Sequence, residues 1–525
     1  ATDQMVDTPT NNFCTMNPLT KRASTLSEGN LKHTTSHSSA VATFGVSTGK
    51  WYWEQTWSGG KNEATIGFAL DGADIFDTSK TTGSSVQGTN YVVLYVYDGK
   101  IYNEGSAGSA LDTFAGDDIL GWAVDADAGD VYLYRNGTAL NSGNAVVSGK
   151  TGRTWFPMGQ FTTGDVTQIN YNFGADSSFA GKVTAQGNQD GNGIGDFYYE
   201  PPSGFNSLCS ENLPSPEIAL PTDHFDAALW TGNSSTQTVT SSLNFQPDFL
   251  WTKLRSHTDS HILRDIVRDG STTMVKSLRS NSTAYEYTSS GSLTTASNGF
   301  SVSGHDGGEF NYNTYTYVTW NWKAGGTASS NTDGTITSSV SANTDAGFSI
   351  ATYTGNNTAS ATIGHGLSQR PDWVIIKDRD NGSTQWVHNP IGALGSNYYG
   401  YFDNQGLNAD SSNVFWYTPT SSVVKVSAHS EVNASSTDYV MYCFHSVDGY
   451  SKVGSYTGNS STDGTFNYLG FKPAFLLIKT TNLTNHHWYM WDNKRVTYNT
   501  NNKVLYPNQT LAEQGPHADY AIDFV

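Results

Sequence analysis

Glu54 stands alone at the end of the aromatic run Lys50-Trp51-Tyr52-Trp53-Glu54, and Asp125, Asp127 and Asp130 surround an Ala-Gly turn. A glycosidase needs two carboxylates about 5–9.5 Å apart across the bond it breaks. The alternating Glu-x-Asp-x-x-Glu strand that would set such a pair on one sheet face is absent. These acids read as solvated strand-end and turn residues, because turn propensity already explains them. Asn188, Asp190 and Asn192, followed by Gly193, place oxygen ligands at alternate positions like the start of a calcium loop. Its twelfth position is Tyr199, with Glu200 one residue late, so a connector is the simpler reading and no metal is expected. His486-His487 has no flanking ligand spacing, HExxH is missing, and Cys14, Cys209 and Cys443 form no CxxC pair. No Gly-x-Ser-x-Gly elbow, Walker loop or dinucleotide fingerprint occurs. The chain therefore reads as a non-enzyme without a cofactor. Binding remains, and Trp57, beside the Ser58-Gly59-Gly60 turn, and Trp491, beyond an apolar strand, are the candidate exposed contacts.

Composition sets what could position such contacts. Only 14% of the 525 residues are charged, against about 25% in an average protein. The net charge is −19 with no basic block, which argues against binding nucleic acid through its phosphates. No apolar run is long enough for a membrane helix, and the first thirty residues lack a signal-peptide layout. With 24 Phe, 14 Trp and 29 Tyr the chain can still build cores. Abundant Gly, Ser, Thr and Asn predict short strands joined by polar turns, an all-β protein.

A repeat occupies the second half. Trp230-Thr231-Gly232-Asn233, Tyr353-Thr354-Gly355-Asn356 and Tyr456-Thr457-Gly458-Asn459 are each followed, 15 or 16 residues after the Gly, by a Pro-led apolar strand. Those strands run from Pro247, Pro371 and Pro473 to a Lys six residues later, at Lys253, Lys377 and Lys479. A continuous apolar run argues burial on both faces, and the recurrent Lys reads as a solvated strand end. A second apolar strand closes the first two copies, around Val318 and Val440. The same spacing puts the third closing strand beyond Val525, so either the sequence continues or another chain supplies it.

The first 185 residues carry strand-like runs and hairpin turns of an antiparallel sandwich. Gly49-Lys50-Trp51-Tyr52-Trp53-Glu54, Ile66-Gly67-Phe68-Ala69, Gly121-Trp122-Ala123-Val124-Asp125 and Asn172-Phe173-Gly174-Ala175-Asp176 resemble, in order and spacing, the motifs of a SPRY domain. That resemblance implies a concanavalin-like β-sandwich that binds through surface loops. The Thr-Gly-Asn repeats resemble structural or tail-fibre-like proteins of marine tailed bacteriophages, notably those of cyanobacteria. The expected domains are a SPRY-like sandwich over 1–185, a Pro/Gly-rich connector over 186–222, a β-sandwich repeat over 223–326, a linker over 327–346, a second repeat over 347–447, and an incomplete third over 448–525.

The function this implies is a non-enzymatic virion fibre or appendage protein on the particle surface. It would bind a host surface glycan or other receptor beside other virion proteins, as a homo-oligomer and, by analogy, a trimer. The alternatives are a purely structural spacer, a polysaccharide depolymerase and a bacterial surface adhesin.

Overall fold

In the computed structural model the described residues are 7–8, 10–22, 24–35, 38–59, 64–71, 73, 90–161, 166–239, 243–402, 406–409, 416–460, 464–465 and 467–524. The chain divides into two compact units, Ala1–Pro214 and Ser215–Val525. Both are built almost wholly of strands, as the composition predicts.

Unit 1 is a sandwich of two sheets. One runs Met16–Arg22, Ser39–Ala42, Trp155–Phe161, Ala64–Leu70, Tyr91–Tyr95, Lys100–Asn103, Ser106–Ala110. The other runs Thr138–Ala139, Asp130–Arg135, Ile119–Asp125, Lys50–Gly59, Val166–Asn172, Lys32–Thr34, Thr25–Ser27. Neighbouring strands along both paths are antiparallel. Side chains alternate across a strand, so Trp51, Trp53 and Trp57 share one face and enter the core. There Trp53 meets Phe68 of the facing sheet edge-on at 4.8 Å, and Phe68 meets Trp122 at 5.6 Å.

The stretch expected to begin a connector at 186 instead belongs to unit 1 up to Pro214. Asn206–Ser207 pairs in parallel with the Lys50–Gly59 strand, and Cys209 bridges Phe13. Phe197 and Phe205 cover the outward side of that strand, against Tyr52 and Ala123. Apolar rings at Tyr52 and Phe197 made an outer layer that Gly and Pro content did not reveal. Cys14, Cys209 and Cys443 are free and buried.

Unit 2 carries the repeats. In the first, the closing strand Thr316–Trp322 lies between Phe225–Thr231 and the Pro-led strand Phe249–Leu254, with His261–Asp265 next. In the second, Asp438–Phe444 lies between Phe348–Thr354 and Trp373–Asp378, with Val387–Asn389 next. The expected linker over 327–346 supplies two more strands of that sheet, Ser329–Asn331 and Ser338–Asn343. The third repeat has the hairpin Phe475–Lys479 with Trp488–Asp492.

The three repeats share one core. Trp251 and Trp320, Ile375 and Tyr442, and Trp488 and Met490 fall in a single apolar cluster. Val374 and Ile376, of opposite parity to Ile375, enter a second cluster with Trp416 and Val424, which is why the Pro-led run is apolar without a break. Polar contacts between repeats run in one cyclic sense. Tyr442 of the second repeat donates to Asp265 of the first at 2.7 Å, and Trp320 of the first donates to Asp492 of the third at 3.0 Å. Trp488 of the third donates to Tyr401 O of the second at 3.3 Å, and Trp386 of the second to Arg279 O of the first at 2.8 Å.

The recurrent lysines correct the sequence reading. Lys253 and Lys377 are fully buried. Lys253 Nζ donates to Asp259 O at 2.7 Å and Lys377 Nζ to Asp378 O at 2.7 Å, so each closes the loop after its strand from inside. Burial pulls both ammonium groups down to about 8. Between that value and the ordinary 10.5 the unfolded chain binds more protons, so stability rises with pH there. Unit 2 is expected to gain up to about 1 kcal/mol per lysine between pH 8 and 9. Denaturant unfolding of Lys377→Met at both pH values should show that share gone.

Candidate functional site

Neither tryptophan singled out by sequence offers an exposed ring. Trp57 is fully buried in the sandwich core, because its strand continues to Gly59 and the turn comes after the ring rather than freeing it. Trp491 is 6% exposed, packed with Val504, Tyr506 and Phe524, and its indole donates to Tyr520 O at 3.0 Å.

The calcium-like run is committed to its own turn. Asp190 Oδ1 accepts from the N–H groups of Asn192 and Ile194 at 2.9 and 3.0 Å. Oδ2 accepts from the Ser207 N–H and hydroxyl and from Asn212 Nδ2, each at 2.8 Å. Burial opposes ionisation there, but these donors outweigh it and hold the carboxyl below its usual range. Asn188 Nδ2 donates to Tyr198 O at 2.9 Å and Asn192 Nδ2 to Asn212 Oδ1 at 2.8 Å. Among the described residues, no three His, Cys, Asp or Glu side chains gather as a metal site.

Glu54, expected in solvent, is fully buried. It accepts from the N–H groups of Tyr198 and Tyr199 at 2.8 and 2.7 Å, from Asn172 Nδ2 at 3.1 Å and from the Tyr52 hydroxyl at 3.3 Å. Burial still pushes its carboxyl up to about 7. This acid fastens the returning segment to the sandwich.

Exposed rings gather elsewhere, on the loop before the first closing strand. Asn311 is fully buried in the left-handed region, φ 55°. Its Nδ2 donates to Ser235 O and Gly304 O, both at 2.8 Å, and its Oδ1 accepts from Asn233 N–H at 3.2 Å. Gly232 lets the loop come this close, since a Cβ there would lie 2.2 Å from Tyr312 O. Tyr312 N–H donates to the Tyr317 hydroxyl, which donates to Gly308 O, both at 2.9 Å. The recurrent Thr-Gly-Asn turn is thus the clamp that holds this loop.

On that clamp stands a ladder of four rings. His305 meets Tyr312 edge-on at 5.5 Å, Tyr312 meets Tyr315 at 4.8 Å, and Tyr315 stacks on His257 at 3.9 Å and 16°. Tyr312 is 41% exposed, both histidines are exposed, and Tyr315 is half-buried. Such rings present an apolar face and a polar tip. They suit the C–H face of a sugar ring or another flat, hydroxylated surface. The second repeat builds the same clamp with other decoration. Asn433 Nδ2 donates to Thr358 O at 2.9 Å and Ala434 N–H to the Tyr439 hydroxyl at 2.8 Å. Where the first loop reads Tyr312-Asn313-Thr314-Tyr315, the second reads Ala434-Ser435-Ser436-Thr437. Aligning the two loops ahead of Tyr317 and Tyr439 would have exposed this difference in the sequence.

Unit 1 offers a shallow pocket of about 320 Å³ lined by Tyr97, Asp98, Leu111 and Asp112, with Tyr97 exposed. Its acids are engaged. Asp98 accepts from the Tyr102 hydroxyl at 2.8 Å. The Thr113 N–H and the Arg135 guanidinium hold Asp112 below its usual range, opposite to what a general acid requires.

Residues 220–525 match the family described as Domain of unknown function (DUF7483). No curated protein matches the chain. Among solved structures, the chain is similar to the SPRY domain of human HERC1, at 15% identity over 30% of this chain and 96% of that one, TM-score 0.26. It is also similar to the TRIM65 PSpry domain, at 16% identity over 30% and 92%, TM-score 0.24. A third is the stonustoxin structure, at 21% identity over 30% and 27%, TM-score 0.24.

Proposed function

The chain belongs to the DUF7483 family, and since that description assigns no activity, we propose its function from the site: a non-enzymatic recognition protein that binds a surface glycan through the His257–Tyr315–Tyr312–His305 ladder. One observation carries the reading. Two repeats build the same Asn-and-Gly clamp, and only one is decorated with exposed rings, so the rings are not needed for the fold. A charge-poor surface of Ser, Thr, Asn and Gly supplies hydrogen bonds to hydroxyls and little that salt would screen.

The setting proposed with it is a virion fibre or appendage contacting the host, with the chain as a homotrimer among other virion proteins. The resemblance of the repeats to phage tail-fibre-like proteins and of the first sandwich to SPRY recognition modules supports that setting. Immunogold labelling of particles and light scattering of the purified chain test location and stoichiometry.

For the site, the measurement is calorimetric titration with host surface polysaccharide. Tyr312→Ala and His257→Ala are each expected to weaken binding at least about tenfold, a loss of about 1.4 kcal/mol. The unfolding midpoint should stay put, because both rings are exposed. Unchanged affinity in both variants would sink the ladder as the site and favour a structural spacer. Release of shortened oligosaccharides on incubation would instead make the protein a depolymerase.

A further inference from the structure

The third repeat keeps the two flanks of a strand site whose middle the first two repeats fill with their own chain. Three positions show this. The ring opening the Thr-Gly-Asn motif is 8% exposed at Trp230, where it stacks on Tyr317 at 4.4 Å, and 4% at Tyr353, where it stacks on Tyr439 at 5.1 Å. Tyr456 at the same place is 51% exposed. A Cβ on Gly232 or Gly355 would lie 2.2 Å from a carbonyl of the loop before the closing strand, Tyr312 O or Ala434 O, whereas one on Gly458 would meet nothing within 4 Å. The Pro-led strand is buried throughout in the first repeat and at five of six positions in the second, but only half-buried along all of Phe475–Lys479. Among the described residues this strand pairs with Trp488–Asp492 alone.

We infer that the third repeat is an acceptor for an extended strand of another polypeptide. The strand would insert between the Tyr456 segment and Phe475–Lys479, as Thr316–Trp322 and Asp438–Phe444 do in their own repeats. Strand addition to an open edge draws affinity from backbone hydrogen bonds and specificity from alternate side chains. The occupant's chemistry follows from the two filled sites. It carries a turn whose carbonyl packs on Gly458, then a tyrosine to stack on Tyr456, then inward apolar residues continuing the shared core.

One inward residue is further defined. Trp320 and Tyr442 hold equivalent places, opposite Trp251 and Ile375, and each donates to an aspartate of the next repeat in the cycle. The third repeat's equivalent, opposite Leu477, would face the second repeat, where the register puts buried Pro390 in place of that aspartate. The occupant therefore presents an apolar side chain there. A second copy of the chain is a poor source, because Thr316–Trp322 and Asp438–Phe444 are each paired on both edges.

The test uses the full chain and a fluorescein-labelled peptide of the Ser430–Phe444 sequence carrying Tyr442→Phe, followed by anisotropy. Saturable binding is expected, with none by a scrambled peptide. Gly458→Val should weaken it at least about tenfold through collision with the peptide's turn, and Tyr456→Ala should weaken it through the lost stack. Neither variant should move the unfolding midpoint of the free chain, since both positions are open. Failure to bind at millimolar peptide overturns the proposal. So does binding that Gly458→Val leaves unchanged. Sedimentation showing dimers that exclude the peptide and vanish in Gly458→Val would assign the edge to a second copy and overturn it equally.

Discussion

Arg268→Met is expected to cost unit 2 about 3–5 kcal/mol, measured by urea unfolding of the full chain. Arg268 and Asp265 are both fully buried, with Arg268 Nε donating to Asp265 Oδ2 at 2.5 Å. The guanidinium also donates to Glu286 at 3.0 Å and to Leu263 O at 2.8 Å. Removing the cation strands the carboxylate in the core with only Tyr442 as a side-chain donor, and leaves a strand-end carbonyl unpaired. Desolvation is what makes the single change expensive, so removing all the polar partners together should be cheaper. The triple variant Asp265→Leu, Arg268→Met, Tyr442→Phe is expected to recover most of the loss. A triple variant as unstable as the single would show that packing, not the stranded charge, sets the cost. The third repeat repeats the device. Burial opposes ionisation of Asp492, but Arg495 at 2.5 Å outweighs it and keeps the carboxyl below its usual range.

Unit 1 is expected to lose stability as pH rises from about 4.5 to about 7, by an amount on the order of 3 kcal/mol at most. Burial raises the folded pKa of Glu54 from 4.5 to about 7, so over that interval the folded state binds more protons than the unfolded one. The contribution is fully present below the lower value and lost through the upper. Glu54→Gln should flatten the dependence. Because Glu54 receives the N–H groups of Tyr198 and Tyr199, those two amides report it directly. Their hydrogen exchange, corrected for intrinsic rate, should quicken as pH rises through about 7 in the native protein and not in the variant. Protection that climbs with pH would mean the four donors, not burial, dominate the site.

The all-β fold was legible because it is written in short-range terms. Alternation put Trp51, Trp53 and Trp122 in one core, and the continuous Pro-led run implied two buried faces, which Ile375 and its neighbours Val374 and Ile376 occupy. What escaped the sequence depends on partners distant along the chain. Lys253 looks like a solvated strand end until the loop carbonyls folded over it are seen. Residues 186–214 look like a linker because Gly and Pro dominate, yet Phe197, Phe205 and the Glu54 latch bind them to the sandwich. The candidate site was missed for a related reason. Tryptophan was weighed as the binding residue, whereas Trp57 and Trp491 are drawn inward by their size, and the exposed rings are tyrosines and histidines on a clamped loop.

The cyclic hydrogen bonds between repeats carry a consequence for how such a chain can vary. In a linear array each copy touches only its neighbours, so copies can be added or dropped at the ends. Here the second repeat leans on the first, the first on the third and the third on the second, around one core. A ring of that kind has a fixed copy number. Three closes it, a fourth would have no place to enter, and deleting one would leave the other two each facing a gap. Length variation in this family should therefore fall in the loops that leave the ring, such as the one carrying Tyr312, and not in whole repeats.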